Sequence, residues 1–227
     1  MCVLEFLARS LIYSLKLPPG LLKRDGHICY CHGCQTYFGR AGFTNYNYPE
    51  DWYLFRTNVS APPGRSLDEI SNNWELCYHG TEVSRLESIL RLGLKTPGEN
   101  YLHGNVTNSL PWRVKIYNVP EWFDTERIFL SPSIRYASCD AYSLPYCCKS
   151  KRYGWTYRVK VALMVHIRPG SYVASGTTAG LNIDPYYSDD SIEWATNESD
   201  SVIVMGVLVN FERYQCIGHR GFPCLRI

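Results

Sequence analysis

The sequence predicts an α+β domain with two packed, antiparallel-rich β-sheets and few flanking helices. The strongest strand pattern is the alternating run WTYRVKVALMVHIR at residues 155–168, and the run VIVMGVLVNF at residues 202–211 is a second. Helical patterns between the predicted strands are few. Because a doubly wound parallel sheet needs a helical crossover between successive strands, two packed sheets fit this pattern better.

Residues 1–73 predict an N-terminal extension packed on the main domain. Residues 25–43 are rich in Cys, Gly and His and predict an irregular loop, whereas residues 44–72 show little periodicity apart from a short strand at residues 51–55. The first 24 residues predict an amphipathic packing helix, because apolar residues recur there at helical spacing. These residues are Val3, Leu4, Leu7, Leu11 and Leu15.

The main domain is predicted over residues 74–227. Residues 74–79 alternate like a strand, which the Gly-Thr pair at 80–81 is expected to break. The segment VSRLESILRLG follows and predicts an amphipathic helix, with Ser84 and Glu87 as its capping box.

The rest of the main domain alternates loops with short elements. Gly93 is expected to cap the preceding helix at its C-terminus, and residues 96–124 are loop-like. Residues 127–130 predict a short strand, and Pro132 is well suited to the first turn of the helix that follows. Residues 192–195 predict a further strand before the last long one.

Composition excludes several classes of protein. Apolar residues make up 45% of the 227 residues and charged residues 19%, so the chain can bury a sizeable core and disorder is not expected. A net charge of +2 is too balanced to indicate a nucleic-acid partner. The apolar N-terminal run is interrupted by charges and is too short to span a membrane, and it lacks the features of a secretory signal. We therefore expect a cytoplasmic, reducing location.

Three separated segments carry the residues suited to chemistry. They are YHGT at residues 78–81, IFLSPSIRY at residues 128–136 and IEW at residues 192–194. A Gly-rich phosphate loop, a Ser-His-Asp order and an HExxH motif are all missing from the sequence. Each segment alone is weak evidence, because a His, Tyr or Glu in such places is more often structural.

Taken together and in order, the segments resemble the poly(ADP-ribose) polymerase branch of the ADP-ribosyltransferases. That branch has His-Gly-Ser/Thr on its first strand, a helix ending in Gly-Leu-Arg/Lys, a Ser-x-Ser-x-x-Tyr motif and a Glu at the start of a late strand. This sequence has His79-Gly80-Thr81, then the helix and Gly93-Leu94-Lys95, then Ser131 to Tyr136, and finally Glu193. The resemblance covers about residues 74–213.

The sequence is also similar to the C-terminal region of neuralized-like proteins. The shared segments are CYCxxC, YHGT, SPSIxYA, PGSY and IEW, which extend the similarity over nearly the whole chain. No neuralized β-sandwich repeat is evident, so the chain resembles the transferase module alone.

The resemblance implies an NAD-dependent transferase that moves ADP-ribose, as one unit rather than a polymer, to a protein acceptor. Cleavage of the nicotinamide–ribose bond resembles glycoside cleavage, with an oxocarbenium-like transition state that a nearby carboxylate stabilises. Glu193 has that role, and the loop before it sits where the family recognises acceptors. The other implied NAD-binding roles are ribose bonding by His79, backbone contacts by Gly80 and Thr81, a hydroxyl from Ser133, ring stacking by Tyr136 and a pyrophosphate contact by Lys95.

The cysteines indicate a second site. Cys29-x-Cys31-x-x-Cys34 has a thiol density typical of structural zinc, which requires four ligands. A fourth ligand is missing, and the candidates are Cys2, Cys77, Cys216, His219 and Cys224. A site that joins both ends of the chain would combine Cys31 and Cys34 with two ligands from Cys216, His219 and Cys224. Scattered reduced thiols and a disulfide framework are the alternatives.

Other functions stay open at this point. The main alternative is a catalytically weak or inactive module that binds NAD or ADP-ribose, or a protein partner. A zinc-stabilised interaction domain is another. The related RNA 2′-phosphotransferase reaction is disfavoured, because its phosphate needs basic residues and the Tyr and Glu positions fit it poorly.

Overall fold

A computed structural model describes residues 1–34, 48–96, 127–214 and 225–227 of the chain. The helices within these ranges are α1 (Val3–Ser14), α2 (Leu67–Asn73), α3 (Leu86–Leu92, after a 3₁₀ turn at Val83–Arg85) and α4 (Ile134–Ala137). The strands are β1 (Ile28–Cys29), β2 (Trp52–Arg56), β3 (Glu75–Thr81), β4 (Ile128–Leu130), β5 (Tyr146–Lys149), β6 (Thr156–Ile167), β7 (Val173–Ser175), β8 (Glu193–Thr196), β9 (Val202–Arg213) and β10 (Leu225–Arg226).

The larger sheet is built around the two long strands that the sequence predicts. Strands β6 and β9 pair antiparallel along their whole length, with a register shift between Met164 and Val165. Strand β2 pairs with the outer edge of β9, and β1 lies beyond it. The other edge of β6 pairs with β5 near its start and with β3 towards its end. Strand β10 lies parallel to β5, whereas the other pairs of this sheet are antiparallel.

The smaller sheet has the order β4-β8-β7 and is antiparallel. It meets the larger sheet where β3 lies beside the residue that follows β4. There the Tyr78 and Ser131 backbones exchange two hydrogen bonds of 2.7 and 2.9 Å. The predicted α+β class with two antiparallel-rich sheets and few helices is therefore confirmed.

The main core contains residues from both sheets and from the N-terminal segment. Leu7 and Leu11 of α1 are buried in the same apolar cluster as Phe55 of β2 and Val161 and Val209 of the long strands. Strand β2 is hydrogen-bonded into the larger sheet between β1 and β9. Residues 1–73 thus share a core and a sheet with the rest of the chain; the boundary at residue 73 stays a prediction. In the described part of the chain, no helix has the length and apolarity needed to cross a membrane.

Several local predictions are confirmed. The N-terminal helix, the short strand near residue 52 and the strands around residues 128, 156, 193 and 202 are all present. Gly93 ends α3 with a positive φ of 76°, a conformation that favours glycine. Most of the loop predicted at 96–124 lies outside the described residues.

Other local predictions are wrong, and each for a physical reason. Val3 is half exposed, although it shares the helical spacing of the apolar face. The Gly-Thr pair at 80–81 does not break β3, because pairing with β6 continues to the end of the strand. The Ser84–Glu87 capping box does not form, because α3 begins only after a 3₁₀ turn and the Ser84 hydroxyl donates to Glu82 instead. Pro132 precedes the helix rather than entering its first turn, since Ser133 is the N-cap.

Helix α2 was not predicted from a segment with little periodicity. Its N-cap Ser66 accepts a hydrogen bond from the Glu69 backbone N–H at 3.0 Å, and Asp68 and Glu69 lie in its first turn. Ile70 is the buried residue of this short helix and anchors it. The capping signal was present in the sequence, but only one buried position supports it.

Candidate functional site

Tyr136 is placed by the Ser-Pro-Ser segment that follows β4. The Ser131 hydroxyl accepts from the Ser133 backbone N–H at 3.1 Å, and the Ser133 hydroxyl accepts from the Tyr136 N–H at 2.9 Å. This pair of local bonds turns the chain from strand into helix, because it satisfies N–H groups that a helix start leaves without a partner. The turn buries Tyr136, whose side chain is only 1% exposed.

Glu193 is placed by the pairing of the smaller sheet. It is the first residue of β8, opposite Ser175 of β7, while its neighbour Trp194 pairs with Leu130 of β4. Continuing the antiparallel register puts Glu193 opposite Ser131, the residue that bridges to β3. The carboxyl group therefore lies at the junction of the two sheets, and Glu193 is fully buried, with 0% exposure.

Four side chains meet at this junction, two of them buried and two half-buried, and we call them the Tyr136–Glu193 group. Glu193 Oε2 accepts hydrogen bonds from the hydroxyls of Tyr136 at 2.9 Å, of Thr178 at 2.9 Å and of Tyr142. The two tyrosine hydroxyls are also within 3.0 Å of each other. All the described donors converge on one oxygen. Buried Oε1 of the same carboxyl has no hydrogen-bond partner in the part of the chain that the structure describes.

The environment keeps Tyr136 a hydrogen-bond donor. Burial raises the pKa of its hydroxyl above the usual value for tyrosine, and the negative charge of Glu193 raises this pKa further. Hydrogen bonds to its oxygen from the Thr178 backbone N–H and the Thr177 hydroxyl, both at 3.0 Å, oppose the increase. At neutral pH the Tyr136 hydroxyl is therefore protonated and is oriented towards the carboxyl.

His79 joins the site through the backbone of β4. Its ring Nδ1 donates to the Phe129 carbonyl at 2.7 Å, which defines one ring nitrogen as the protonated one. Phe129 pairs with Ala195 of β8, two residues after Glu193. His79 thus borders the same junction but is held by a different contact from those within the Tyr136–Glu193 group. A ligand hydrogen bond to this ring would use Nε2.

Gly80 is required by a close backbone approach. A Cβ atom at this position would lie 1.9 Å from the Ala137 carbonyl oxygen and 2.8 Å from Cβ of Tyr142. Helix α4 and the turn after it therefore pack directly on the strand. Because Tyr78 directs its N–H and C=O to Ser131, the alternation of a β-strand directs those of Gly80 to the same edge.

A loop covers the group, and we call residues 176–191 the covering loop. It leaves β7 after Ser175 and returns just before Glu193, so both of its ends lie at the carboxyl. Thr177 and Thr178 contact Tyr136 and Glu193 as described above. Further along, buried Asp184 accepts a hydrogen bond from the Ser133 hydroxyl, which also caps α4.

The remaining predicted residues of the NAD site are less directly connected. Thr81 is buried at the end of β3, opposite Val161. Lys95 follows buried Leu94 after α3, and the described bonds of the Tyr136–Glu193 group do not involve it. Conversely, sequence analysis missed Tyr142 and Thr178. Tyr142 lies six residues after Tyr136 in an irregular turn, so no periodic pattern predicts its direction.

The cysteine segment forms a second candidate site in a different part of the larger sheet. The sulfur atoms of Cys2, Cys29, Cys31 and Cys34 all lie within 4.8 Å of one another, and we call these four residues the cysteine cluster. Such a cluster can hold a metal ion. It includes Cys31 and Cys34, as predicted, and Cys2, one of the ligands considered for completing the site.

The other proposed ligands do not join the cluster in the described residues. Cys77 is fully buried in β3, where its thiol lies 3.6 Å from the Val165 carbonyl. Cys216, His219 and Cys224 lie outside the described residues.

Within the cluster, the thiols titrate unequally. Burial acts to raise the pKa of Cys31, but hydrogen bonds from the Cys29 and Cys34 thiols outweigh this effect and lower it. Burial raises the pKa of Cys34 to about 11, and burial also raises the pKa of Cys29. A single negative charge in the cluster is therefore most stable on Cys31. Four thiolates at this spacing would repel one another.

A comparison with known protein families found no family model that matches this chain.

Proposed function

We propose that this chain is an ADP-ribosyltransferase that transfers a single ADP-ribose unit from NAD to a protein side chain and releases nicotinamide. The observation that carries the proposal is the Glu193 carboxyl. It is fully buried at the junction of two sheets, and among the described residues one of its oxygens has no hydrogen-bond partner. Leaving a buried polar atom unpaired destabilises a fold by about 1–3 kcal/mol, so such an atom calls for a functional explanation.

A ribose hydroxyl is a suitable partner for that oxygen. A carboxylate accepts a charge-assisted hydrogen bond from a hydroxyl and stabilises the positive charge that develops on the sugar when the bond to nicotinamide breaks. The hydrogen bonds from the Tyr136 and Tyr142 hydroxyls to Oε2 come from outside the covering loop and hold the carboxyl in a fixed position before NAD arrives. Fixed charge that needs no reorganisation during the reaction is the larger part of such stabilisation.

The neighbouring residues fit the recognition of NAD. In the proposal, the Tyr136 ring lies against the nicotinamide, and the edge of β3 at Gly80 offers N–H and C=O groups to the carboxamide. Ser133 adds a hydroxyl, and Nε2 of His79 bonds the adenosine ribose. The two-sheet α+β architecture supports the finer assignment to an ADP-ribosyltransferase fold. Thr81 and Lys95 are proposed as further NAD contacts on the resemblance alone.

The covering loop must move for this reaction to occur. Thr178 occupies the space beside Glu193 Oε2, and Asp184 engages the hydroxyl proposed for the carboxamide. NAD therefore binds only to molecules in which this loop has shifted. The apparent affinity for NAD is the affinity of these open molecules multiplied by the fraction of molecules that are open. A protein acceptor would then approach the ribose from the side of the displaced loop.

The cysteine cluster lies away from the Tyr136–Glu193 group and takes no part in this chemistry. Strand β1, which carries the cluster, is separated from β3 by β2, β9 and β6. Since neighbouring strands lie about 4.8 Å apart, the two sites are on the order of 20 Å apart.

Turnover of radiolabelled NAD by the parent chain and by Glu193→Gln tests the proposal. The glutamine keeps the size of the side chain and an acceptor for the tyrosine hydroxyls, but it removes the negative charge. We expect nicotinamide release by the parent and a loss of about 100-fold or more in Glu193→Gln, as for removal of one preorganised electrostatic group. Glu198→Gln is the matched control, because it removes an exposed carboxylate just after the same strand and should keep full turnover.

The binding measurement separates the proposal from its alternative. His79→Ala should weaken NAD binding, measured by calorimetry, because it removes a ribose contact. Saturable NAD binding with no turnover by the parent would instead favour a non-catalytic NAD-binding module. If the folded parent binds no NAD, both functions are excluded.

A further inference from the structure

The cysteine cluster joins two distant parts of the chain at one point. Cys29 ends β1, and Cys31 and Cys34 follow it closely, whereas Cys2 comes from the start of α1. The Cys2 sulfur lies 3.3 Å from that of Cys29 and 3.7 Å from that of Cys31. Of the four ligands, Cys2 is the one that links α1 to the sheet.

These distances match the ligand shell of a tetrahedral metal ion. Zinc binds thiolate sulfur at about 2.3 Å, so the sulfur atoms of a tetrahedral site are about 3.8 Å apart. Distances of 3.3 and 3.7 Å, with the whole set within 4.8 Å, leave room for such an ion and require only small side-chain shifts. They are too long for the bond of a disulfide, at about 2.05 Å.

The start of α1 holds the Cys2 sulfur in place. Cys2 is the N-cap of this 12-residue helix, and its sulfur accepts a hydrogen bond from the Glu5 backbone N–H at 3.3 Å. The ligand from α1 is therefore held in position by its own helix.

We infer that Cys2, Cys29, Cys31 and Cys34 bind one structural zinc ion, which fastens the start of α1 to the edge of the larger sheet. Four thiolates and no water complete the coordination, so the ion has no open position for catalysis. Tetrahedral sulfur sites select zinc or iron, and four cysteines that close the coordination match a structural zinc site.

The surrounding structure explains why a metal is needed there. Strand β1 has only two residues, and its pairing with β2 consists of Ile28 with Leu54 and Cys29 with Tyr53. A two-residue edge strand is too short to be stable by itself. Binding energy from the ion would hold this strand and the start of α1 together, much as it does in small domains that fold only with zinc.

The first experiment measures metal in the full chain, purified without chelators in the presence of a reductant. We expect about one equivalent of zinc by plasma mass spectrometry, and below about 0.2 equivalents in Cys2→Ser and Cys31→Ser. Cys147→Ser is the matched control, because Cys147 is also half-buried but lies in β5. It should keep the zinc. Iron in place of zinc, or metal retained in Cys2→Ser, would overturn the assignment.

A second measurement does not depend on how the variants fold. Exchange of the bound metal for cobalt(II) in the parent chain should give the intense visible absorption and sulfur-to-cobalt charge transfer of a tetrahedral four-thiolate site.

Replacing Cys216, His219 and Cys224 together should leave both the zinc content and this spectrum unchanged. Loss of zinc in that triple variant, while it keeps the circular dichroism of the parent, would show that the ligand set includes the C-terminal residues and would overturn the four-cysteine site. So would a folded, metal-free parent in which Cys2 is linked by a disulfide.

Discussion

At the residue scale, Gly80 shows how closely packing and function are coupled at the junction. The strand and α4 approach so closely that a methyl group would overlap the Ala137 carbonyl. We predict that Gly80→Ala destabilises the fold by about 3 kcal/mol, the upper end of the range for overpacking, because backbone rather than a flexible side chain must move. Urea denaturation followed by circular dichroism measures this change.

Gly176→Ala is the control for that measurement. A Cβ at Gly176 would have only ordinary contacts, at 3.6 Å from the Asp189 carbonyl oxygen, so its free energy of unfolding should change little. If Gly80→Ala is as stable as the parent, α4 packs on β3 less closely than the overlap with the Ala137 carbonyl indicates.

The sequence predicted only part of the site at this scale. His79, Tyr136 and Glu193 stood out because each belongs to a short motif whose order could be compared with a family. Tyr142 and Thr178 belong to no motif, and they reach Glu193 only because two irregular segments fold over it. Their roles depend on long-range contacts, which local residue patterns do not encode.

At the element scale, the covering loop lies over Glu193 and contacts it. Buried Asp184 fastens this loop to Ser133, while the Ser133 hydroxyl keeps its other bond to the start of α4. If NAD binds after the loop opens, weakening that contact should favour the open form. We therefore predict that Asp184→Ala binds NAD about 3- to 10-fold more tightly, which corresponds to the roughly 1 kcal/mol of one hydrogen bond.

Calorimetric titration with NAD measures this effect, and Asp190→Ala is the control. Asp190 lies in the same loop and its loss changes the net charge equally, but its side chain is exposed. The control should bind NAD like the parent. Weaker binding by Asp184→Ala than by Asp190→Ala would show that Asp184 supports the bound state instead of the closed loop.

A strand or helix could be predicted from the sequence when its own residues show a pattern of buried positions. Strands β6 and β9 have twelve residues each and are mostly buried, and the apolar runs of the sequence predict them with nearly their observed bounds. Strand β1 has two residues, and β5 depends on the edge of β6, so neither has a periodic signal of its own. Short edge strands are determined by the partner they pair with.

At the scale of the whole molecule, the candidate site depends on how the two sheets meet. Each sheet is held by its own ladders, and the Tyr78–Ser131 bridge connects them beside both His79 and Glu193. Sequence analysis predicted two sheets but not this junction, because register between distant strands follows from the packing of the complete core. The N-terminal segment belongs to that core through α1 and β2.

Buried tyrosines make the stability of the whole molecule sensitive to alkaline pH. Burial raises the pKa of Tyr53 to about 12, and burial likewise raises the pKa of Tyr30, Tyr78, Tyr136, Tyr172 and Tyr187. In the unfolded chain these hydroxyls ionise near pH 10. Between pH 10 and the higher folded values, the folded state holds more protons than the unfolded state, so stability falls as pH rises.

We predict that these tyrosines leave stability unchanged up to about pH 9. Above about pH 10 the protein should unfold cooperatively. In that range each such tyrosine lowers the free energy of unfolding by about 1.4 kcal/mol per pH unit. Tyrosinate absorbance should increase together with the loss of circular dichroism. Tyr53→Phe should make the decline shallower, whereas Tyr13→Phe should not, because Tyr13 is 87% exposed. Gradual ionisation of most tyrosines near pH 10 in a chain that stays folded would contradict the burial of this set.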